Sequence, residues 1–495
     1  MASTKRIKGE YTRWTPSESG STETLDVSSD EYNPNKLFSE YVVARKPVKL
    51  RGSVSDFNWQ ALDLDAIEAT LDYDDHLWVE EKHSGGFGGG HQRVRMTLAE
   101  LVDQLKQGVD RYYLTTQYDQ EEDNTGEDGD DDEEDEEKVT DQVEASEQKI
   151  GDDEEEDDFD DSDEEEGDDS DDADARLRQL LQPPLTNLIF NPEFPINHPL
   201  LPTLIPQQIN LWMGQAPKSS QTRPEIDTTK PDGGLGRYIP PVTHEGAQLT
   251  GTSSGLHHDH ADNLYVVVSG VKRFTLFPPS NVYDLNTVGT VYRVFNSGVI
   301  DYVADSKSPN WHQLRDDGAV VAQVEAWKNG KEAEETSEGN IGGENDYNNK
   351  AKHPPSFSTI PPALLHIDDV EDDEYREKLM ALTRESYPQL LSLPRLTVWL
   401  KPGEMLYLPT GWFHEVSSFG DQPHIAVNYW FIPPVTGKYA DPYHDDNYWQ
   451  SDWAKTKAVV DSMRALAVSD DDEEDEEDEE EGDELEEEDE AEDDE

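Results

Sequence analysis

The stretch GLHHDHADNLYVVVSGVKRFTLFPP, residues 255–279, joins a cluster of polar side chains to two apolar runs. Three histidines and two aspartates fall within residues 257–262, which indicates either a metal site or a hydrated turn rich in histidine. The runs LYVVVSG and KRFTLFPP have the composition of short strands, on which side chains alternate between two faces. Two ligands from one strand must therefore lie two residues apart. Periodicity alone leaves three pairs open: His257 with Asp259, His258 with His260, and His260 with Asp262.

A third metal ligand can come from LPTGWFHEV, residues 408–416, in which His414 lies among apolar neighbours. A histidine in such a place is more often a core residue that hydrogen-bonds to the backbone. Two histidines and one carboxylate on one face, however, form the facial triad that suits non-haem Fe(II) oxygenases. A mid-chain pair followed by a late histidine has the order that this site requires. The residues alone therefore favour an iron site without deciding it.

Short strand-like runs separated by Gly/Pro turns make up much of the chain from residue 209 onward. Helical patterns flank them at 96–108, where Thr97 is the expected cap, at 371–391 and at 447–467. This combination is typical of a mainly β fold with flanking helices, in which a double-stranded β-helix or jelly roll forms the core. The last helix carries an apolar stripe that packs on the barrel or supports a homodimer. The stripe consists of Trp449, Trp453, Val460, Met463 and Leu466.

Negative charge is concentrated in two segments of the chain, whose net charge is −72. Residues 119–175 contain 35 Asp and Glu against two Lys, and residues 470–495 contain 23 Asp and Glu and no basic residue. Because such runs cannot bury enough apolar surface to offset the entropy of ordering, we expect both to be disordered. Their charge suits solubility, or the attraction of a basic partner such as a histone or a ribosomal protein. It argues against direct nucleic-acid binding, which needs a basic surface.

The chain has no cysteine, which excludes disulfides, thiolate zinc sites and iron–sulfur clusters. Any metal must therefore be held by histidine and carboxylate. No stretch approaches the roughly 20 apolar residues of a membrane helix, and the N-terminal MASTKRIKGEYTRW lacks the apolar core of a signal peptide. We therefore expect an intracellular protein without membrane contact, in the cytoplasm or the nucleus.

The stretch at 254–279 resembles the metal-binding strand and following hairpin of the JmjC-domain oxygenases, a cupin-like family with a jelly-roll core. LKPGEMLYLPTGWFHEVSS, residues 400–418, and IAVNYWF, residues 425–431, resemble the strand pair that carries that family's distal histidine. Together with NLWMG at 210–214, the matching motifs cover roughly residues 209–432. The combination is far more specific than a single His-x-Asp pair.

The expected domain organisation is one catalytic domain interrupted by the acidic insert. A core that begins before an insert and continues after it indicates a single domain with an extruded loop. The expected parts are an N-terminal helix and strand part at 1–118, the disordered acidic insert at 119–175, the jelly-roll core at 176–440 with a polar loop at about 326–355, a C-terminal helix at 441–468 and a disordered acidic tail at 469–495.

The resemblance selects one register for the metal ligands. In that family His-x-Asp is followed by Asn, an apolar strand and Gly-x-Lys-Arg, and this pattern implies that Fe(II) is held by His257, Asp259 and His414. It also implies 2-oxoglutarate and O2 as cosubstrates, with Lys272 at the distal carboxylate of 2-oxoglutarate. The other implied cosubstrate residues are Ser254, at a position that is often Thr in the family, Tyr113, for which Tyr112 is an alternative, the amides Asn263 and Asn428, and the wall residue Trp430.

The implied activity is that of an Fe(II)- and 2-oxoglutarate-dependent dioxygenase, which hydroxylates a protein side chain and releases succinate and CO2. The His-x-Asp pattern and the lack of a zinc-type reader module favour a protein hydroxylase. A histone lysine demethylase of the same family is the alternative, and modification of a tRNA base fits the charge less well. Outside the oxygenases, an acidic histone-chaperone-like binding protein with an inactive barrel and a non-oxygenase cupin such as a sugar isomerase stay open. An intact set of three metal ligands and a lysine argues against both.

Overall fold

The protein is described by a computed structural model over residues 11–29, 32–82, 86–87, 93–117, 168–217, 222–330 and 354–466. Its strands, in chain order, are β1 Gly20–Ser21, β2 Glu23–Asp26, β3 Val48–Arg51, β4 His76–Glu81, β5 Arg93–Thr97, β6 Tyr112–Leu114, β7 Pro206–Gly214, β8 Val242–His244, β9 Ala247–Leu249, β10 Gly251–Ser253, β11 Asp262–Ser269, β12 Val271–Phe277, β13 Val291–Val294, β14 Ile300–Tyr302, β15 Leu396–Leu400, β16 Glu404–Leu408, β17 Phe413–Phe419 and β18 His424–Phe431.

Helices lie mainly at the two ends of the chain and between the strand groups. The α-helices are α1 Pro34–Leu37, which continues as one π-helical stretch at Phe38–Val42, α2 Leu98–Lys106, α3 Asp168–Leu180, α4 Val321–Lys328, α5 Asp373–Ser386 and α6 at 448–466. Short 3₁₀ helices lie at Trp59–Leu62, Ile67–Ala69, Thr186–Phe190, Pro279–Asp284, Pro362–Leu365, Ile367–Asp369 and Pro388–Ser392. No helix among the described residues is both long enough and apolar enough to span a membrane.

Two sheets face each other and form the centre of the fold. The smaller has the strand order β1-β15-β12-β17-β10, and the larger has the order β2-β3-β16-β11-β18-β7-β6-β4-β5. Successive strands alternate between the two sheets from β10 to β12 and again from β15 to β18. This alternation is the arrangement of a jelly roll. The expectation of a mainly β fold with a jelly-roll core is therefore confirmed.

Side chains from both sheets fill the space between them. Tyr265 on β11 and Phe274 on β12 meet edge to face with their ring centroids 5.2 Å apart. Along β18 the side chains alternate, so that Ala426 packs between the sheets while Val427 and Tyr429 join the apolar cluster on the outer face of the larger sheet. The polar residues on the inner face of β18 consequently point into the barrel, where the site lies.

The second helix forms where its cap predicts. The Thr97 side chain accepts a hydrogen bond from Glu100 N, and the Glu100 carboxylate accepts one from Thr97 N, which completes a capping box. Four apolar residues of α2 are buried: Leu98, Leu101, Val102 and Leu105. The cap predicted at Thr97 is thereby confirmed.

Helix α3 begins before the expected start of the jelly-roll core at residue 176. The predicted acidic insert, 119–175, lies outside the described residues from 119 to 167, and its last part, 168–175, belongs to α3. Leu177 and Leu180 anchor the C-terminal part of this helix in the core. The acidic composition alone therefore set the expected boundary too late in the chain.

The remaining expected segments fall partly on described residues. Helix α4 extends to Lys328, past the expected start of the polar loop at 326, and residues 331–353 of that loop lie outside the described part of the chain. The acidic tail at 469–495 also lies outside it. Of the apolar stripe on α6, Trp449 and Val460 are buried and Trp453 and Met463 are partly buried against the protein's own core. Leu466 is 55% exposed, and a homodimer through this helix stays a prediction.

A buried ion pair joins the N-terminal segment to the barrel. Arg45 binds Asp262 through both guanidinium ends, one of them 2.9 Å from Asp262 Oδ2. The two side chains are 2% and 0% exposed. Asp262 also accepts hydrogen bonds from the Tyr407 hydroxyl at 2.7 Å and from Thr410 N at 3.0 Å. Asp262 therefore starts a buried strand rather than belonging to a turn.

Replacing Arg45 by methionine is expected to lower the free energy of unfolding by about 3–5 kcal/mol, because the Asp262 carboxylate would stay buried without its counter-ion. Chemical denaturation followed by tryptophan fluorescence measures the change. The matched control is Arg51→Met, because Arg51 pairs with Glu404 but is 59% exposed, and such pairs contribute at most about 1 kcal/mol. Equal effects of the two substitutions would contradict the conclusion that the buried pair of Arg45 and Asp262 stabilises the fold.

Candidate active site

Three side chains bring metal-ligating atoms together at one end of the barrel. One ligand atom each from His257, Asp259 and His414 lies within 4.8 Å of the others. The backbones of His257 and His414 exchange two hydrogen bonds, His257 N to His414 O at 3.0 Å and His414 N to His257 O at 2.7 Å. Directly paired residues send their side chains to one face of a ladder, and Asp259, two residues further on, falls on the same face. Long-range backbone pairing between His257 and His414 therefore builds the cluster.

Both imidazoles of the cluster are oriented by backbone carbonyls. His257 Nδ1 lies 2.9 Å from Gly255 O, and His414 Nδ1 lies 3.0 Å from Trp412 O. Because a carbonyl oxygen only accepts, each Nδ1 carries the proton and each Nε2 keeps its lone pair. His414 Nε2 lies 3.7 Å from Asp259 Oδ2. Burial, and next the nearby His414, hold the pKa of His257 well below its usual range, so this ring is in the neutral form that binds metals.

The donor set fits Fe(II). Two neutral imidazole nitrogens and one carboxylate oxygen on one face leave coordination positions open for small ligands. A second group of described residues, Asp316, Asp317 and His444, also brings three ligand-type atoms together. There, however, Arg315 pairs with Asp317, and His444 Nε2 lies 2.7 Å from Asp316 Oδ1. The pairing of Arg315 with Asp317 and the contact of His444 with Asp316 account for that second group.

The residues of the other two candidate ligand pairs, His258 with His260 and His260 with Asp262, bond to groups outside the cluster. His258 Nε2 lies 2.6 Å from the Tyr302 hydroxyl, and His260 Nε2 lies 3.2 Å from Ile300 O. Asp262 is engaged by Arg45. Of the three pairs that periodicity allows, the structure therefore brings only His257 with Asp259 to His414 among the described residues.

A chain of polar side chains ends on the Asp259 carboxylate. Trp212 Nε1 donates to Asn428 Oδ1 at 2.7 Å, Asn428 Nδ2 donates to Asn263 Oδ1 at 3.3 Å, and Asn263 Nδ2 lies 3.4 Å from Asp259 Oδ2. The indole N–H only donates and the carboxylate accepts, so both amides have a single consistent orientation. The direction of the chain fixes where Asp259 points, and the sequence had not singled out Trp212.

Replacing Trp212 by phenylalanine is expected to lower the affinity for Fe(II) and the turnover by roughly tenfold, because residues that orient metal ligands typically contribute 10- to 100-fold. Phenylalanine keeps an aromatic ring of smaller volume and loses the N–H that donates to Asn428, and the control carries the same loss of volume. Metal titration and succinate formation measure the two effects. Trp399→Phe is the matched control, since Trp399 stacks on His244 away from the cluster at 3.7 Å between ring centroids. If both variants lose activity equally, the amide chain does not orient Asp259.

Lys272 on β12 is fully buried, at 0% exposure. Its Nζ donates to the Ser418 hydroxyl at 2.7 Å and to the Tyr113 hydroxyl at 3.2 Å. No ion pair within the described part of the chain joins Lys272 to a carboxylate. Burial, and next the charge of Lys82, lower the pKa of Lys272 well below its usual range. A buried amine with two hydroxyl partners and no internal counter-ion is suited to bind an external anion.

The predicted cosubstrate residues differ in what they contact: Tyr113 contacts Lys272, whereas Ser254 contacts the backbone. Tyr113 is 1% exposed and bonded to Lys272, whereas its neighbour Tyr112 is half-buried. The Ser254 hydroxyl instead donates to Gly255 O at 2.9 Å and accepts from Val416 N at 3.0 Å, so it braces the backbone before His257. Trp430 is half-buried and lies opposite Asn263 in the β11–β18 ladder.

Ser418 is the residue that sequence reasoning missed at this site. It lies on the same strand as His414, and residues 414, 416 and 418 share a face of β17. Extending the alternation by two steps from His414 would have found it. The strand rise puts about 13 Å between the Cα atoms of His414 and Ser418, which leaves room between the metal ligands and Lys272 for a short dicarboxylate.

Two further residues lie behind His257 that the sequence did not indicate. Phe357 stacks on the His257 ring with centroids 4.8 Å apart and planes 9° apart. The Arg237 guanidinium lies over Phe357 at 5.2 Å and donates to Ser254 O. Gly255, with φ +76°, leaves the space that the guanidinium occupies, since a Cβ there would fall 1.0 Å from Arg237 Nη1. This stack limits the movement of the His257 ring.

A family model described as a cupin-like domain matches residues 34–437 of the chain. This range includes every residue of the candidate site. The chain belongs to the cupin-like JmjC family. The family membership inferred from the motifs is therefore confirmed, and the jelly roll observed above is the fold expected of it.

Three curated relatives illustrate the range of the family. The fission yeast Schizosaccharomyces pombe has a JmjC domain-containing protein 4 that is 25% identical over 92% of this chain and 94% of its own length. The lysine-specific demethylase JMJ32 of Arabidopsis thaliana is 30% identical over 38% of this chain and 40% of its own. The human bifunctional peptidase and (3S)-lysyl hydroxylase JMJD7 is 27% identical over the same shares. The first of these three is thus similar to this chain over most of its length, and the other two are similar to less than half of it.

Proposed function

We propose that the protein is an Fe(II)- and 2-oxoglutarate-dependent dioxygenase that hydroxylates a protein side chain. The single observation that carries this proposal is the environment of Lys272. A fully buried lysine costs stability unless an anion accompanies it, and Lys272 lies on the barrel wall between the two sheets, bonded to two hydroxyls. The cluster of His257, Asp259 and His414 in the same barrel supplies the donor set that such an anion would share with iron.

Each group of residues has one task in the proposed reaction. Fe(II), when bound, supplies the positions at which 2-oxoglutarate is decarboxylated and O2 is activated. His257, Asp259 and His414 hold the metal, and the Trp212–Asn428–Asn263 chain keeps the carboxylate turned toward it. Lys272, Tyr113 and Ser418 bind the distal carboxylate of 2-oxoglutarate. One oxygen atom of O2 ends in the new carboxylate of succinate and the other in the hydroxyl group of the product, with release of CO2.

The proposed protein substrate follows from the charge of the acidic segments. The acidic segments at 119–175 and 470–495 carry dense negative charge, which favours encounter with a basic protein such as a histone or a ribosomal protein. One relative is named a lysyl hydroxylase, which supports a side-chain hydroxylation. We propose a basic protein as the substrate and hydroxylation as the outcome.

The test of the proposed function is succinate formation from 2-oxoglutarate by the purified protein with Fe(II) and ascorbate. It is run with and without a basic protein extract, beside the Asp259→Ala variant. Turnover that rises with the extract and disappears in the variant would support the proposal. An absence of turnover, together with no binding of Fe(II) or 2-oxoglutarate, would overturn it and favour an acidic binding protein with an inactive barrel.

A histone lysine demethylase is the second candidate function, and the relative named a lysine-specific demethylase favours it. Both reactions begin with hydroxylation of a C–H bond. A hydroxyl group on a side-chain carbon is stable. A hydroxylated N-methyl group, by contrast, leaves the nitrogen as formaldehyde. Mass spectrometry of the modified peptide separates them, because hydroxylation adds one oxygen atom and demethylation removes a methylene.

A further inference from the structure

His424, the first residue of β18, is fully buried at 0% exposure. Neither Nδ1 nor Nε2 has a hydrogen-bond partner within the described part of the chain. Other histidines of the barrel do use a ring nitrogen in a hydrogen bond: the half-buried His257 and the buried His258, His260, His366 and His414. An unpaired buried polar group costs about 1–3 kcal/mol, which points to a partner that the described residues do not provide.

A row of three residues places His424 beside Tyr113. Gly214 pairs with Tyr113 on one side and with His424 on the other, across β6, β7 and β18. The two ring centroids lie 5.7 Å apart. A Cβ at Gly214 would fall 2.3 Å from Tyr113 Cδ2 and 3.3 Å from His424 Nε2. The glycine therefore leaves open the space into which both rings converge.

The β11–β12 hairpin, which carries Lys272, packs against His424. Gly270 forms the turn between β11 and β12 with φ +79°, and a Cβ there would fall 2.8 Å from His424 Cβ. Lys272 follows two residues later. Burial, then the charges of Lys272 and Lys82, hold the pKa of His424 well below its usual range. The imidazole is consequently neutral, with one nitrogen that donates and one that accepts.

The hydrogen-bond donors around Lys272 do not satisfy every acceptor position of a bound carboxylate. An ionised carboxylate accepts about four hydrogen bonds. Lys272 Nζ has one N–H left after its bonds to Tyr113 and Ser418. The Tyr113 and Ser418 hydroxyls also hydrogen-bond to each other, so they keep one free O–H between them. The unpaired ring N–H of His424 adds a third donor.

We propose that His424 is a cosubstrate-binding residue, which donates its ring N–H to the distal carboxylate of 2-oxoglutarate beside Lys272. The inference rests on the proposed function and extends its cosubstrate site by one residue. Because the bond is made to a part of the cosubstrate that does not react, its loss changes affinity and leaves the chemical step alone.

The experiment compares His424→Gln with His424→Met in the Fe(II)-loaded protein without O2. Both replacements are unbranched and of similar length, but only glutamine has an N–H to donate. Two ligands are titrated: 2-oxoglutarate, and 2-oxopentanoate, which has the same carbon chain without the distal carboxylate. Fe(II) affinity is measured in parallel. The control variant is His198→Phe, because His198 is also buried and has an unpaired Nε2 but packs on Tyr429 in the outer cluster.

We expect His424→Met to raise the Kd for 2-oxoglutarate about tenfold or more, with the Kd for 2-oxopentanoate and the Fe(II) affinity unchanged. His424→Gln should recover most of the loss, and His198→Phe should bind 2-oxoglutarate as the wild type does. An unchanged Kd for 2-oxoglutarate in His424→Met, or an equal loss for both ligands, would overturn the inference. If the wild-type protein binds no 2-oxoglutarate, the proposed function itself fails.

Discussion

Replacing Asp259 by alanine is expected to abolish succinate formation while the fold stays intact. Hydrogen bonds to the backbone hold the segments around His257, Asp259 and His414 in place without contributions from these three side chains. Asp259 O accepts hydrogen bonds from Gly411 N at 2.9 Å and from the Thr410 hydroxyl at 3.2 Å, and His257 and His414 are joined through their backbones. Removal of the carboxylate leaves two imidazoles and no anionic ligand. Since even outer residues of a metal site contribute 10- to 100-fold, we expect a loss of more than about 100-fold.

The measurement pairs turnover with thermal unfolding and metal content. Asp259→Ala and His414→Ala should each lose succinate formation and bound Fe(II), with an unfolding temperature close to that of the wild type. The matched control is His260→Leu, which removes a histidine of the competing register that bonds Ile300 O instead of joining the cluster. It should lower stability and keep turnover per folded molecule. Iron binding that depends on His260 rather than on Asp259 would overturn the assignment.

The strands that carry the site could be predicted because their patterns are local. Residues 262–277 combine two apolar runs with a glycine between them, and they form the β11–β12 hairpin at Asp262–Ser269 and Val271–Phe277. The Thr97–Glu100 capping box is equally local. Such features depend on neighbours a few residues apart, so composition and spacing are enough to find them.

The register of the metal ligands could not be derived from periodicity because it depends on long-range contacts. Asp262 is excluded by its ion pair with Arg45, a partner 217 positions away in the sequence. His260 is excluded by a backbone carbonyl of β14 at Ile300. No spacing within residues 257–262 contains either fact. The resemblance to a known family supplied the choice that the residues left open.

Ser418 and His424 illustrate two different kinds of omission. Ser418 could have been predicted from the sequence, since side-chain alternation along β17 from His414 leads to it. His424 carried no signal, because a histidine at the start of an apolar strand is ordinarily a core residue with a backbone partner. Its unpaired nitrogens and its place beside Tyr113 become evident only once β6, β7 and β18 are aligned.

Replacing Lys272 by methionine is expected to weaken 2-oxoglutarate binding by about 2–4 kcal/mol, which is roughly 30- to 1,000-fold in Kd. Methionine keeps most of the aliphatic volume and removes the ammonium group. Without cosubstrate the variant should unfold at a higher temperature than the wild type, because the wild type keeps a buried amine that has no carboxylate partner among the described residues. Stabilisation by 2-oxoglutarate should be large in the wild type and nearly absent in the variant. Ser297→Ala, which removes a buried hydroxyl bonded to Asp316 O, is a control that should leave the Kd unchanged.

The pH dependence of this binding follows from the same lysine. Burial, then Lys82, hold the pKa of Lys272 below its usual range in the free protein. A bound carboxylate stabilises the ammonium form, so the pKa in the complex must be higher and binding takes up a proton. Affinity is therefore greatest below the pKa of the free protein and falls as pH rises toward that of the complex. Calorimetry in buffers of different ionisation enthalpy measures the proton uptake. Lys272→Met should remove the uptake, and an uptake of equal size in that variant would assign it to another group.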